Sequence, residues 1–338
     1  MAGGLDIQGL LRAVRQEGVR KEMIYTGNCL DILPTLDAES VQCCVTSPPY
    51  WGLRDYGVDG QIGLEKTPEE YVEKMVRVFR EVRRVLADDG TLWLNLGDSY
   101  SGSMKGSGGN DPERSCKQVT NSGSYFGSQV DNARKINTGL KPKDLMGIPW
   151  RVAFALQSDG WYLRQDIIWS KPNPMPESVT DRCTKAHEYI FLLSKAARYY
   201  YDQEAVKESG STSEGDKAGH TFGGKKRTDM EMTHSNQPGK KWIWGSTRNR
   251  RSVWTITTKP FKEAHFATFP PEIPEICIKA GSRIGDTILD PFSGAGTTGV
   301  VAEKLSRKYI GIELNETYSE MAEKRIEAAR LPLAEQWG

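Results

Sequence analysis

The stretch from Asp286 to Glu313 leaves this chain few folds to choose from. Asp286-Thr287-Ile288-Leu289-Asp290 reads as a short buried strand. Pro291-Phe292-Ser293-Gly294-Ala295-Gly296-Thr297-Thr298-Gly299 follows as a glycine-rich turn. Val300, Val301 and Leu305 mark a helix, and Tyr309-Ile310-Gly311-Ile312-Glu313 is the next strand. A strand, turn, helix and strand in this order belong to an α/β fold with a mostly parallel sheet. Ligands of such sheets gather at the carboxyl ends of the strands. Asp290 and Glu313 stand at two such ends, about 20 residues apart, the spacing at which an acidic residue meets a ribose diol.

The chemistry of this unit narrows the ligand. Gly294, Gly296 and Gly299 fit the spacing of a dinucleotide fingerprint, so a nicotinamide cofactor is the first alternative. Asp290 argues against it, because a carboxylate at the strand tip repels a pyrophosphate. The same carboxylate suits the ammonium of an amino acid. S-adenosylmethionine carries an adenosine and an amino-acid end without phosphate, and is the better match.

A second unit lies upstream. Met23-Ile24-Tyr25 is a candidate strand, and Asp31 falls just beyond it, in a loop or the first turn of a helix. Val41-Gln42-Cys43-Cys44-Val45 is a buried strand ending at Thr46-Ser47-Pro48-Pro49-Tyr50. Two prolines fix their φ angles and donate no hydrogen bonds, so the strand must end in a stiff turn. Its lip holds the Ser47 hydroxyl, unpaired carbonyls and the Tyr50 ring, a set able to grip a planar group bearing an NH2. Thr67, Pro68 and Glu70 start a helix with a capping box. Tyr71, Met75, Val78, Val82, Val85 and Leu86 give it one apolar face, and Asp89-Gly90 is its expected stop. Thr91 to Leu96, Trp161 to Trp169 and Glu188 to Leu193 are further strands, with Tyr199-Tyr200-Tyr201 expected to complete an antiparallel hairpin at one end of the sheet.

Three segments break the pattern. Residues 1–22 read as a short helix or arm. Residues 99–143, rich in Ser and Gly, read as a mobile loop, either a lid or a surface insertion. Residues 207–251 concentrate positive charge in Lys225, Lys226, Arg227, Lys240, Lys241, Arg248, Arg250 and Arg251, interleaved with Trp242 and Trp244. Basic residues among aromatics suit phosphate contacts with stacking. The resulting division is 23–206, 207–251 and 252–330.

Composition limits the alternatives. With 45 basic and 44 acidic residues the chain is nearly neutral, so nucleic-acid binding must come from local charge. The apolar runs are too short to span a bilayer and no signal peptide is legible, which points to the cytoplasm and no membrane partner. Six cysteines without a C-x-x-C pair suggest no metal site, and Cys43 and Cys44 are expected as small buried hydrophobes.

Taken together, the motifs resemble those of DNA amino-methyltransferases. Asp290 to Thr298 is similar to their cofactor motif, and Thr46 to Tyr50 to their catalytic motif. His265-Phe266-Ala267-Thr268-Phe269-Pro270 resembles the segment that closes their cofactor pocket, and Gly311 to Asn315 their ribose-binding strand end. The order, catalysis before cofactor binding, is that of the permuted β group. The resemblance implies a Rossmann-like S-adenosylmethionine-dependent fold acting on a base flipped from double-stranded DNA. Ser47, Pro48, Pro49 and Tyr50 would be catalytic. Asp290, Phe292, Gly294, Gly296, Thr297 and Thr298 would surround the methionine part, with Glu313 and Asn315 at the ribose and His265 and Phe266 closing the pocket. Asp31 would either reach the adenine amino group or cap a helix. Serine at 47 resembles cytosine-N4 enzymes, where adenine-N6 members of the group usually carry aspartate. Adenine N6 is the first alternative, an RNA- or protein-directed amino-methyltransferase the second, and a non-catalytic DNA-binding module the third. Members of the group can dimerise, and the sequence names no partner restriction nuclease.

Overall fold

The computed structural model describes residues 23–52, 57–101, 140–141, 143–210, 247–258 and 269–330. It separates into two units, Met1–Tyr201 with Ser252–Gly338, and Asp202–Arg251. Residues 1–22 and all but the ends of the 99–143 segment lie outside the described residues.

The larger unit is built on an eight-stranded sheet. In chain order its strands are β1 (Met23–Thr26), β2 (Val41–Thr46), β3 (Leu86–Leu96), β4 (Tyr162–Ser170), β5 (His187–Ser194), β8 (Val253–Thr255), β9 (Thr287–Asp290) and β10 (Lys308–Glu313), while β6 (Glu208–Ser209) and β7 (Thr247–Arg248) belong to the smaller unit. Across the sheet they run β1-β10-β9-β2-β3-β5-β4-β8. The first five are mutually parallel. β5 is antiparallel to both β3 and β4, and β4 is parallel to β8, so β5 alone is reversed. Helices connect and cover the strands: α1 (Cys29–Ile32), α2 (Pro68–Val85), α3 (Ile148–Ser158), α4 (Glu272–Gly281), α5 (Thr297–Lys304) and α6 (Glu316–Arg330).

The central strands are apolar on both sides, as parallel strands between two helical layers must be. Cys43 and Cys44 are fully buried in β2. Burial pushes the Cys43 thiol up to about 12, so it behaves as a small hydrophobe rather than a nucleophile. α2 buries Tyr71, Met75, Val78, Phe79, Val82 and Val85 completely. Each such side chain contributes roughly 1.5–3 kcal/mol of transfer free energy. Its first turn is capped by Thr67 Oγ1, which accepts from the Glu70 amide at 3.2 Å, while Glu70 reaches back to the Lys66 amide rather than to Thr67.

Two details depart from the sequence expectation. The helix stops at Val85, not at Asp89-Gly90, and the backbone turns extended at Leu86 without a loop. Gly90 instead lies inside β3, where a Cβ would come within 2.9 Å of the Ala87 carbonyl oxygen and 3.1 Å of that of Gln42. Tyr199-Tyr200-Tyr201 forms no strand. The antiparallel partners of β5 are β3 and β4, and the tyrosines serve as anchors. The Tyr200 amide donates to the Asp89 carbonyl at 2.9 Å, and the Tyr201 ring stacks on Trp93 at 6.4 Å. Among the described residues no helix is long and apolar enough to cross a membrane.

Candidate active site

β2 and β9 are neighbours, with Cys43 opposite Ile288 and Cys44 opposite Leu289. Their carboxyl ends therefore meet. Thr46 Oγ1 donates to Asp290 Oδ1 at 2.6 Å, a buried bond that joins the two sequence motifs. Thr298, in the first turn of α5, donates to Asp290 Oδ2 at 2.8 Å, and the Phe292 amide donates to Oδ1 at 3.1 Å. Asp290 is 1% exposed, and burial pushes its carboxyl up to about 6 against the opposing effect of these three donors. The carboxylate thus faces the protein and ties β2, β9 and α5 together. This arrangement does not present it directly to an ammonium, so its part in a ligand site is to shape the turn.

Glu313 ends β10 on the other side of β9. Its two carboxylate oxygens accept from the Gly294 amide at 2.7 Å and the Asn315 amide at 2.9 Å, and its main-chain oxygen accepts from Gly27 at 2.8 Å. Burial raises its pKa above the usual carboxylate value. A carboxylate has about four lone-pair sites, so the two bonds leave capacity for hydroxyl donors. Gly294 adopts a left-handed φ of 53°, and a Cβ there would meet nothing within 4 Å. The turn is open above Gly294, and the Glu313 carboxylate borders it. Such a cradle accepts a ribose and an uncharged or cationic tail and disfavours phosphates, which fits S-adenosylmethionine. Gly296 has the opposite constraint: its Cβ would lie 2.7 Å from that of Ala322, so glycine lets α5 and α6 pack closely.

The β2 tip is supported from outside its own motif. Ser47 Oγ donates to Asn95 Oδ1 at 3.2 Å. The Tyr50 hydroxyl donates to Glu188 Oε2 at 2.6 Å and lies 3.2 Å from Asn95 Oδ1. Asn95 Nδ2 donates to Glu188 Oε2 and to the Tyr189 carbonyl. Lys171 forms an ion pair with Glu188 Oε1. The Pro49 carbonyl accepts from Tyr71 at 2.9 Å, which pins the stiff turn to α2. One edge of the Tyr50 ring rests on Gly97, where a Cβ would come 2.5 Å from Tyr50 Cε2. Burial, then the charge and hydrogen bond of Glu188, raise the Tyr50 pKa well above its ordinary value, so the phenol keeps its proton.

A family profile described as DNA methylase, for N6 and N4 enzymes, matches residues 41–324. The chain belongs to this DNA methylase family. It is similar to the Type II methyltransferase M.SmaI of Serratia marcescens, 46% identical over 325 residues, covering 96% of this chain and 97% of that protein. M.Cfr9I of Citrobacter freundii is 47% identical over 304 residues, covering 90% and 87%. Two solved structures share the fold. PvuII DNA methyltransferase, titled cytosine-N4-specific, aligns with a TM-score of 0.58 at 21% identity, covering 90% of this chain and 85% of that one. A Thermus thermophilus protein solved with S-adenosyl-L-methionine aligns at 0.56 and 22%, covering 91% and 94%. This DNA methylase therefore has the Rossmann-like fold of those structures and, as a member of the family, acts on exocyclic amino groups in DNA.

Other expected site residues of the methylase fall as follows. Thr297 and Thr298 begin α5, and Phe292 packs against the core. Asn315 caps α6, its Oδ1 accepting from the Thr317 amide at 3.0 Å. Asp31 is exposed in α1 and is not that helix's cap, because Asn28 Oδ1 takes the Leu30 amide. His265, Phe266, Lys225, Lys226, Arg227, Lys240 and Lys241 lie outside the described residues. In the smaller unit, Arg248 and Arg251 both pair with Glu208, at 2.8 and 2.6 Å, and Arg250 donates to the Val206 carbonyl. Sequence reasoning missed Asn95, Gly97, Lys171 and Glu188. Asn95 had one signal, a polar amide inside the apolar run Leu92-Trp93-Leu94-Asn95-Leu96.

Proposed function

We propose that this methylase modifies the N4 amino group of cytosine, flipped out of duplex DNA at a specific sequence. The observation that supports this best is the joining of the two strand tips through Thr46 and Asp290, which sets the Ser47-Pro48-Pro49-Tyr50 lip beside the Gly294 cradle. S-adenosylmethionine, when bound, supplies an electrophilic methyl group on a sulfonium sulfur. Phe292, Gly294, Gly296, Thr297 and Thr298 would hold its amino-acid end, Glu313 its ribose, and Asp31, His265, Phe266 and Asn315 the rest of the pocket.

The chain's residues do the positioning. Flipping the base costs a few kcal/mol. A face of the Tyr50 ring would stack on the base and recover part of that cost. Ser47 Oγ and the Pro48 carbonyl would accept the two amino hydrogens. The nitrogen lone pair is then left along the remaining direction, and orientation of this kind lowers the barrier without a covalent enzyme intermediate. The fully buried Cys43 and Cys44, just upstream on β2, take no part.

Serine at position 47 and the titled specificity of the PvuII enzyme favour cytosine over adenine. The Type II relatives favour a role beside a restriction nuclease and on double-stranded DNA. Homodimerisation is an expectation from the resemblance alone. The deciding experiment digests DNA methylated by the purified protein to nucleosides and weighs them. N4-methyl-2′-deoxycytidine is expected, and N6-methyl-2′-deoxyadenosine in its place would overturn the choice of base.

A further inference from the structure

The lip residues directly follow β2, but what holds them comes from three other places. Asn95 is near the end of β3, Glu188 is the second residue of β5, and Lys171 follows the last residue of β4. The reversal of β5 makes this meeting possible. In its antiparallel register Tyr189 lies opposite Leu96, and Glu188 opposite Trp169. The start of β5 therefore lies at the carboxyl ends of β3 and β4, the edge where ligands bind.

We propose that Asn95, Glu188 and Lys171 form a positioning network that holds the Ser47 and Tyr50 hydroxyls as acceptor-only groups, so that the lip selects a base bearing NH2 over one bearing a carbonyl. This rests on the reading that Ser47 and Tyr50 grip the target base. The orientation of Asn95 follows from its neighbours. Nδ2 faces two acceptors, Glu188 Oε2 at 3.2 Å and the Tyr189 carbonyl at 3.1 Å, which consume both amide protons. Oδ1 must then face Ser47 and Tyr50. The Ser47 proton is committed to Asn95, and the Tyr50 proton to Glu188. Each hydroxyl is left with lone pairs only. An amino group can donate to the Ser47 hydroxyl while the base lies on the Tyr50 ring, whereas the carbonyl of uracil or thymine would meet an acceptor facing an acceptor at Ser47.

The ion pair is what makes the commitment firm. Lys171 and Glu188 side chains are only 18% and 16% exposed, and Lys171 also sits 4.2 Å from the Trp169 ring centroid. A bridge between β4 and β5 would need only one carboxylate oxygen. Here Oε1 takes Lys171 and Oε2 is turned to Tyr50 and Asn95. Removing either charge leaves the other partly buried without its counter-charge.

The test measures single-turnover methyl transfer to unmethylated plasmid DNA, with S-adenosylmethionine affinity determined separately by calorimetry. Glu188→Gln and Lys171→Met are expected to slow transfer by about 10- to 100-fold, with affinity for S-adenosylmethionine within about twofold of wild type. Lys171→Arg should restore most of the rate. The Glu188→Gln loss should shrink at least about threefold when Tyr50 is already Phe, because the shared hydroxyl is gone. On duplexes with uracil at the mapped target, the variants should lose part of the wild-type preference for cytosine in binding. Unchanged rates, an undiminished loss in the Tyr50→Phe background, or loss of S-adenosylmethionine binding would each overturn the network's role. Wild-type protein that methylates no DNA would instead overturn the functional reading beneath it.

Discussion

The two strand tips that meet in this methylase are built in opposite ways. At β9 the support is local. Asp290 is held by Phe292 and Thr298, within eight residues, and by Thr46 from the adjacent strand. At β2 the support is remote. Tyr50 and Ser47 depend on Asn95 and Glu188, 45 to 138 residues away, and on Gly97 at one edge of the ring. The β9 tip buries its charge to shape a turn, whereas the β2 tip and the Lys171–Glu188 pair that supports it are both only partly buried. A cofactor that is the same in every turnover can be met by one compact turn. A base arriving from a duplex must be held from several directions.

If that contrast holds, damage to the β2 tip reduces catalysis and spares cofactor binding. Ser47→Ala carries the largest expected effect. Losing the acceptor that orients the amino group should lower methyl transfer by about a thousandfold or more, the scale of a lost positioning and polar contact combined. Affinity for S-adenosylmethionine should not change. Retained radioactive methyl transfer to duplex DNA in this variant would break the assignment. Gly97→Ala is next. The new Cβ would overlap Tyr50 and displace its ring, so a loss of about 10- to 100-fold is expected, again at constant cofactor affinity. A normal rate in that variant would show that the Tyr50 position is not critical.

The β9 tip should respond through stability and pH. The folded Asp290 carboxyl titrates at about 6, above its unfolded value of 3.8. A raised carboxyl pKa means that the folded state holds its proton more tightly. The group therefore favours folding at low pH, and this advantage is lost as pH rises through the window from about 4 to 6. Asp290→Asn does not titrate. From about pH 4 to pH 7 the variant should gain about 2 kcal/mol relative to wild type, read as the change in their stability difference by urea unfolding. A constant difference across that range would mean that the carboxylate is not buried as described.

The contrast between the tips also explains what was legible in the sequence. The Asp290-to-Glu313 unit is contiguous, so its strand, turn, helix, strand and acidic end could all be read, as could the cap and apolar face of α2. The Pro-Pro turn was legible as a stiff lip because proline acts locally. Its supports were not, because they depend on register. An antiparallel hairpin at Glu188 to Leu193 was legible, but not that its partners are β3 and β4, the pairing that brings Glu188 to Tyr50. The expected Tyr199–Tyr201 strand failed for the same reason: aromatic residues suit strands, but here tertiary partners claimed the rings. Asp290 was legible in position but not in direction, since sequence alone does not say that Thr46 and Thr298 would turn it inward.

The smallest expected effects belong to the smaller unit. Arg248 and Arg251 share one carboxylate, Glu208, so the three side chains carry one net positive charge rather than two. Their exposures differ, 37% for Arg248 and 66% for Arg251. A guanidinium carries several donors in a fixed fork, and the more exposed of the two reaches a phosphate more readily. Arg251→Gln should therefore reduce the slope of log affinity against log salt by about one, the value for one phosphate contact, with about a threefold to tenfold loss at moderate salt. Arg248→Gln should change the slope less, because its pairing with Glu208 across β6 and β7 is structural. Equal slopes for wild type and Arg251→Gln would remove this arginine from the DNA surface and leave recognition to other parts of the chain.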